Sequence, residues 1–179
     1  MKTYGEEYMK NNLSIDEIKQ SVEYQWRKSQ IKLLLMIFLI MTVTSLVILF
    51  LITITSGLDT GFDLLEFFIW FCCMIVIGIF LGCFVLYYHL KCMYLLKNYK
   101  NFNAYEVILD TFSTSYAYEY SIYYTVTFID DNETKKINTN PYFSSSFFSK
   151  FKPEEFNNKK VIGLYDNNLE KFYIIKSVD

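Results

Sequence analysis

Two stretches decide the fold: "LLLMIFLIMTVTSLVILFLITITSG", Leu33 to Gly57, and "FFIWFCCMIVIGIFLGCFVLYYHL", Phe67 to Leu90. Neither contains an Asp, Glu, Lys or Arg. A helix rising ~1.5 Å per residue needs ~20 apolar residues to cross ~30 Å of hydrocarbon, and both stretches exceed that length. Two transmembrane spans, over about 33–56 and 67–90, are expected. The first starts too far along the chain and is too long to read as a cleavable leader. The linking "GLDTGFDLLE", Gly57 to Glu66, is acidic and carries no Lys or Arg, whereas Arg27, Lys28 and Lys32 precede the first span and Lys91, Lys97 and Lys100 come after the second. The positive-inside rule then places the protein as multi-pass in a bacterial inner (cell) membrane, with N and C termini both cytoplasmic.

Outward from this hairpin, "LSIDEIKQSVEYQWRKSQ" holds Ser14 and Glu17 in capping-box spacing. The box predicts a helix start, and Ile15, Ile18, Val22 and Trp26 recur at three- and four-residue steps along one apolar stripe. Trp26, Arg27, Lys28 and Lys32 read as an aromatic and basic collar at the membrane surface, matched by Tyr87, Tyr88 and Tyr94 after the second span. The second helix is expected to continue through "KCMYLLKNYKNF" directly into the C-terminal part of the chain.

Beyond about Tyr99 the period changes from helix to strand. In "YAYEYSIYYTVTFID", Tyr116, Tyr118, Tyr120, Ile122, Tyr124, Val126 and Phe128 alternate with smaller or polar residues, which predicts a long strand with one buried face. "AYEVILDTF" reads as its hairpin partner through "STS". "KKVIGLYDNNLEKFYIIK" reads as a second hairpin, with Asp166, Asn167 and Asn168 supplying positive backbone angles at its turn. "PYFSSSFFSKFKPEEF" spaces Phe143, Phe147, Phe148 and Phe151 as a short helix that plugs one end. The fold class is membrane α+β: an N-terminal two-helix transmembrane hairpin, then a small, mostly antiparallel β-roll or barrel, OB- or SH3-like, with a short helix. The chain divides into an amphipathic N-terminal helix (1–30), the hairpin (31–99) and a cytoplasmic β domain (100–179).

Seventeen basic and nineteen acidic residues, net charge −2, give no excess of positive charge for a phosphate backbone, so nucleic acid is excluded as a partner. All four cysteines and the one histidine fall between Cys72 and Cys92. Wound on a helix at ~100° per residue, Cys72, Cys73, Cys83 and His89 scatter over several turns and faces, so no metal or disulfide framework is read there. The thiols read as small apolar side chains, with S-acylation of Cys92 as a second reading. No phosphate loop, dinucleotide fingerprint or zinc-protease motif is present, and the single histidine lies at the membrane boundary; no catalytic residue and no cofactor are assigned. Gly78 and Gly82 make a GxxxG pair whose stripe runs on through Val85 and His89, and Thr42 and Ser45 share a face of the first span. These six are the helix-packing residues, serving the hairpin itself or a homo-oligomer or larger membrane-protein complex. Tyr118, Tyr120 and Tyr124 are the ligand or partner surface if the aromatic row lines a pocket, and core if it does not.

The closing segment, Lys159 to Lys176, resembles the end of small β domains attached to uncharacterised two-span membrane proteins of Gram-positive bacteria. That resemblance implies a tethered β domain and no catalytic residue. In architecture the chain is also similar to two-transmembrane β-barrel effectors of anti-phage systems, which implies a barrel sensing a cyclic nucleotide and helices that damage the membrane. The function expected first is a non-enzymatic membrane accessory protein presenting its β domain to a protein partner, in a secretion, conjugation or toxin-immunity setting; the nucleotide-gated effector is the alternative.

Overall fold

The computed structural model describes residues 8–9, 12–55, 64–109, 111–114, 121–130, 133–143 and 156–178. The described residues form two compact units: Met1–Ser29 together with Lys91–Asp179, and Gln30–Leu90 between them in the chain. The N-terminal segment, read from sequence as an amphipathic helix over 1–30, belongs to the same unit as the β strands.

Helix α1 (Ile15–Gln20) starts where the capping box predicts. The Ser14 hydroxyl accepts from the Glu17 amide at 3.2 Å and the Glu17 carboxylate accepts from the Ser14 amide at 2.9 Å. The amphipathic segment is not one helix, however. It breaks at Ser21, whose backbone is extended. The Ser21 hydroxyl donates to the Ile18 carbonyl at 2.6 Å and accepts from the Tyr24 amide at 3.2 Å. A serine that bonds the backbone on both sides ends one helix and caps the next. Helix α2 (Val22–Thr55) comes next, and helix α3 (Leu64–Asn98) continues past the apolar stretch as the sequence predicts, closing in a 3-10 turn at Tyr99–Asn101.

In the unit Gln30–Leu90 both helices are long and apolar enough to cross a membrane. Their outward residues are large and apolar nearly all round: Leu39, Val47 and Phe50 on α2, and Val76, Phe80 and Leu86 on α3, are each more than half exposed. A hydrophobic surface of this extent is unfavourable in water and matches hydrocarbon, where a helix also satisfies its own backbone.

Among the described residues the other unit holds eight strands: β1 (Tyr8–Met9), β2 (Asn103–Ile108), β3 (Thr111–Thr114), β4 (Ser121–Asp130), β5 (Glu133–Asn138), β6 (Tyr142–Phe143), β7 (Lys160–Asp166) and β8 (Lys171–Ser177). They make two antiparallel sheets, one ordered β1-β2-β7-β8, the other β3-β4-β5 with β6 also on β4. Thr125 faces Thr111 on one edge and Asn138 on the other, while Ile122 faces Thr114 and Tyr142, so β5 and β6 line one edge of β4 opposite β3. Among the described residues the barrel does not close: a single isolated backbone bridge, Thr139 to Phe172, joins the sheets by hydrogen bonding.

"AYEVILDTF" is two strands in different sheets rather than one hairpin partner. Its first half pairs with β7 and its second half with β4, with the switch around Leu109. Phe143 lies in strand β6, and the rest of the expected plug helix falls outside the described residues, as do Tyr116, Tyr118 and Tyr120.

Sheet β1-β2-β7-β8 is covered on both faces. Ala104, Leu164, Tyr173 and Ile175 pack with Ile18, Leu95, Tyr99 and Phe102 from the helical segments. Their neighbours Tyr105, Tyr165 and Phe172 turn the other way and meet Phe128 of β4 at ring separations of 4.6, 5.0 and 5.6 Å. This double coverage makes "FYII" a continuous buried run. Gly163 is required by that packing: a Cβ there would lie 2.0 Å from the Phe172 ring, beside a bulge in the β7–β8 register. At the β7–β8 turn the Asp166 carboxylate accepts from the Asn168 and Leu169 amides, and the positive φ falls on Glu170 (50°) rather than on Asn167 or Asn168. An Asx turn holds these first residues in ordinary geometry.

Candidate functional site

A buried polar cluster joins the start of α2 to the strands. Glu23 is fully buried and Arg27 is 4% exposed. They stand one turn apart, so the guanidinium reaches back to the carboxylate: Arg27 Nη2 and Nε donate to Glu23 Oε1 at 2.6 and 3.0 Å. Asn140 Nδ2 donates to the same oxygen at 3.1 Å, and the Tyr142 hydroxyl donates to Oε2 at 2.6 Å. Arg27 Nη1 donates to the Lys91 carbonyl at 2.8 Å, and the guanidinium sits 5.5 Å from the centre of the Tyr173 ring. Trp26 meets the Tyr142 ring edge-on at 5.4 Å. Burial raises the Tyr142 hydroxyl well above the ordinary phenol range and the Glu23 carboxylate adds to it, so Tyr142 is held as a donor. Burial likewise raises Tyr173. Trp26 and Arg27 are thus interior residues, not a membrane collar; an aromatic and a cation that find apolar cover and a buried carboxylate have no need of the interface.

A second polar group closes the other end of the core. The Tyr105 hydroxyl donates to Asp130, and Lys135 Nζ donates to the other Asp130 oxygen at 2.6 Å while lying 5.0 Å from the Tyr165 ring centre. Burial pushes the Asp130 carboxyl up, but Lys135 and Tyr105 outweigh it and hold the group below its usual range. A third contact ties helix to hairpin, where the Tyr94 hydroxyl donates to Asp166 at 2.8 Å. Among the described residues no buried side-chain nitrogen or oxygen lacks a hydrogen-bond partner. These charges are therefore engaged with one another, which is what makes burying them tolerable.

The helix-packing residues divide. A Cβ on Gly78 would stand 3.3 Å from the Phe38 ring, so this glycine lets α3 approach α2, and Ser45 donates to the Met74 sulfur at 3.5 Å. The Thr42 hydroxyl bonds its own helix, at the Phe38 carbonyl. Val85 is half-buried, while a Cβ on Gly82 would meet nothing within 4 Å outside its own helix backbone and His89 is exposed. The covered side of α3 runs Met74, Ile77, Gly78, Leu81, Val85 and Tyr88, rotated from the Gly78, Gly82, His89 stripe. Tyr124 is fully buried, on the inward face of β4 with Val126 and Phe128. Tyr118 and Tyr120 lie outside the described residues. Among the described residues no group of three or more His, Cys, Asp or Glu is placed to hold a metal ion. Sequence reasoning passes over Glu23, Asn140 and Tyr142, of which only Glu23 carries a signal, its four-residue spacing to Arg27, and it reads Asp130 as a solvated carboxylate where the structure buries it.

Comparison with known proteins finds no matching family model, no matching curated protein and no matching solved structure.

Proposed function

We propose that this chain is a non-enzymatic, membrane-anchored interaction protein, in which the apolar hairpin holds a folded α/β unit at the cytoplasmic face for a protein partner. The observation that carries the reading is the order of the two units: residues on either side of the hairpin, Glu23 and Arg27 before it and Tyr142 and Tyr173 after it, share one buried cluster. Two spans that leave a folded unit and return to it must start and end on the same side of the bilayer. The lysines flanking the spans favour the cytoplasmic side. The buried ionisable groups hold the unit together, which supports a presented module.

The test is sidedness combined with partnership in native membranes. Reporters at both termini are expected to read cytoplasmic and one in the 57–63 loop external, and the solubilised chain is expected to co-purify with a stoichiometric protein. Termini on opposite sides would contradict the anchor. A chain recovered alone, whose heat stability shifts with a cyclic nucleotide, would replace the interaction reading with that of a ligand-gated effector.

A further inference from the structure

Charge is segregated along the chain: from Tyr24 to Thr55 and from Phe67 to Tyr105 there is no Asp or Glu. In the folded unit the cations of these stretches have two fates. Arg27 is buried and neutralised by Glu23. Lys28, Lys97 and Lys100 are exposed, and among the described residues none of them is in an ion pair. Farther out in the same unit Lys19 pairs with Asp16, Lys160 with Glu106 and Lys176 with Glu17, whereas exposed Lys136 and Lys159 are in no ion pair among the described residues. Of these exposed lysines without an ion pair, Lys28, Lys97 and Lys100 are the ones that lie in the acid-free segments adjoining the hairpin.

Their heights along the helices also agree. The bond from Arg27 to the Lys91 carbonyl sets the turn of α2 that holds Lys28 level with Lys91 on α3. Exposed apolar residues, Leu86 and Leu90, come immediately before Lys91. Lys97 lies about 9 Å farther along the helix, within about one Debye length at physiological salt.

We propose that Lys28, Lys97 and Lys100 form a binding collar for the phosphate headgroups of anionic phospholipids, with the Glu23–Arg27 pair fixing the two helix segments that carry it. The proposal rests on the membrane-anchored reading above. An exposed ammonium on a flexible stem suits a lipid phosphate, which needs a point charge rather than a shaped pocket. Each such lysine near an anionic surface adds attraction, so the collar gathers anionic lipid around the protein.

The test uses the full chain in vesicles of phosphatidylcholine alone and in equal parts of phosphatidylcholine and phosphatidylglycerol. Association of spin-labelled phosphatidylglycerol is measured against spin-labelled phosphatidylcholine by the motionally restricted fraction. At low salt a preference of about five-fold is expected, roughly the effect of one lysine at the surface, and it should shrink at high salt. The triple variant Lys28→Gln, Lys97→Gln, Lys100→Gln should lose the preference while staying in the vesicles after an alkaline wash, with unchanged Trp26 emission in a Trp70→Phe background as the check on folding. Equal association of both lipids with the retained wild-type chain overturns the collar alone. Displacement by inorganic phosphate overturns it in favour of a free-phosphate site. Loss of the chain from both vesicles on washing overturns the anchor and the collar together.

Discussion

Replacing Glu23 with alanine removes the acceptor on which three donors converge, Arg27, Asn140 and Tyr142. Arg27, 4% exposed, keeps only the Lys91 carbonyl and the face of Tyr173. Breaking a buried ion pair from one side costs about 3–5 kcal/mol, because the remaining charge stays desolvated. The fully buried Tyr142 hydroxyl loses the Glu23 acceptor as well, and losing such a buried hydrogen bond costs about 1–3 kcal/mol. The two penalties share Glu23 and do not add, so about 4 kcal/mol is the expected loss, a large part of the about 5–15 kcal/mol that stabilises an ordinary domain. The assay is urea unfolding in detergent micelles in a Trp70→Phe background, where Trp26, packed on Tyr142, is the remaining one of the two tryptophans. The double variant Glu23→Leu, Arg27→Met should recover the part of the loss due to the stranded charge, since an apolar pair of similar volume carries no desolvated charge, while Tyr142 and Asn140 still lack the Glu23 acceptor. A single variant within about 1 kcal/mol of wild type, the worth of an exposed pair, would refute the placement of Glu23 in the core.

Gly163→Ala should destabilise by at least about 1–3 kcal/mol, because its Cβ would collide with a Phe172 ring that Phe128 holds in place; Phe172→Leu should recover part of it, read as the midpoint of thermal unfolding. Asp130 has a lowered carboxyl pKa in the folded chain, so its contribution is present above the unfolded value of about 3.9 and is lost as pH falls through the folded one; Asp130→Asn should flatten that part of an acid unfolding curve. Glu17 is held at about 2 by the Ser14 amide first and Lys176 next, so the capping box should persist below the ordinary glutamate range and fail as pH approaches about 2, with Glu17→Gln removing that dependence in a circular dichroism titration. Gly78→Ile should separate the helices of the hairpin, measured by spin-label distances, while Gly82→Ile should leave them in place because its added Cβ would meet nothing within 4 Å outside its own helix backbone.

The helices were the most legible part of the chain. Length and the absence of charge identify α2 and α3, the Ser14–Glu17 spacing marks the start of α1, and alternation in "YYTVTFI" marks β4 with its buried face. What sequence could not show depends on partners distant along the chain. Trp26 and Arg27 have the composition of an interfacial collar and become core only because Tyr142 and Tyr173 arrive from more than a hundred residues away. The switch at Leu109 is invisible because both halves of "AYEVILDTF" are good strand formers, and period alone does not say which sheet they join. The rotation of the α3 packing face has a similar cause. GxxxG names one stripe that permits close approach, and the position of Phe38 decides which of its glycines is used.

The N-terminal segment and the β strands form one folded unit interrupted by the hairpin. Glu17 and Lys176 test it most directly: their side chains meet at 3.0 Å and both are substantially exposed. With the four native cysteines replaced by alanine and cysteines placed at 17 and 176, a short bifunctional maleimide applied to membranes should link the two sites within one chain, giving a compact, monomeric, faster-migrating species. Absence of that link, or links formed only between chains, would contradict the account.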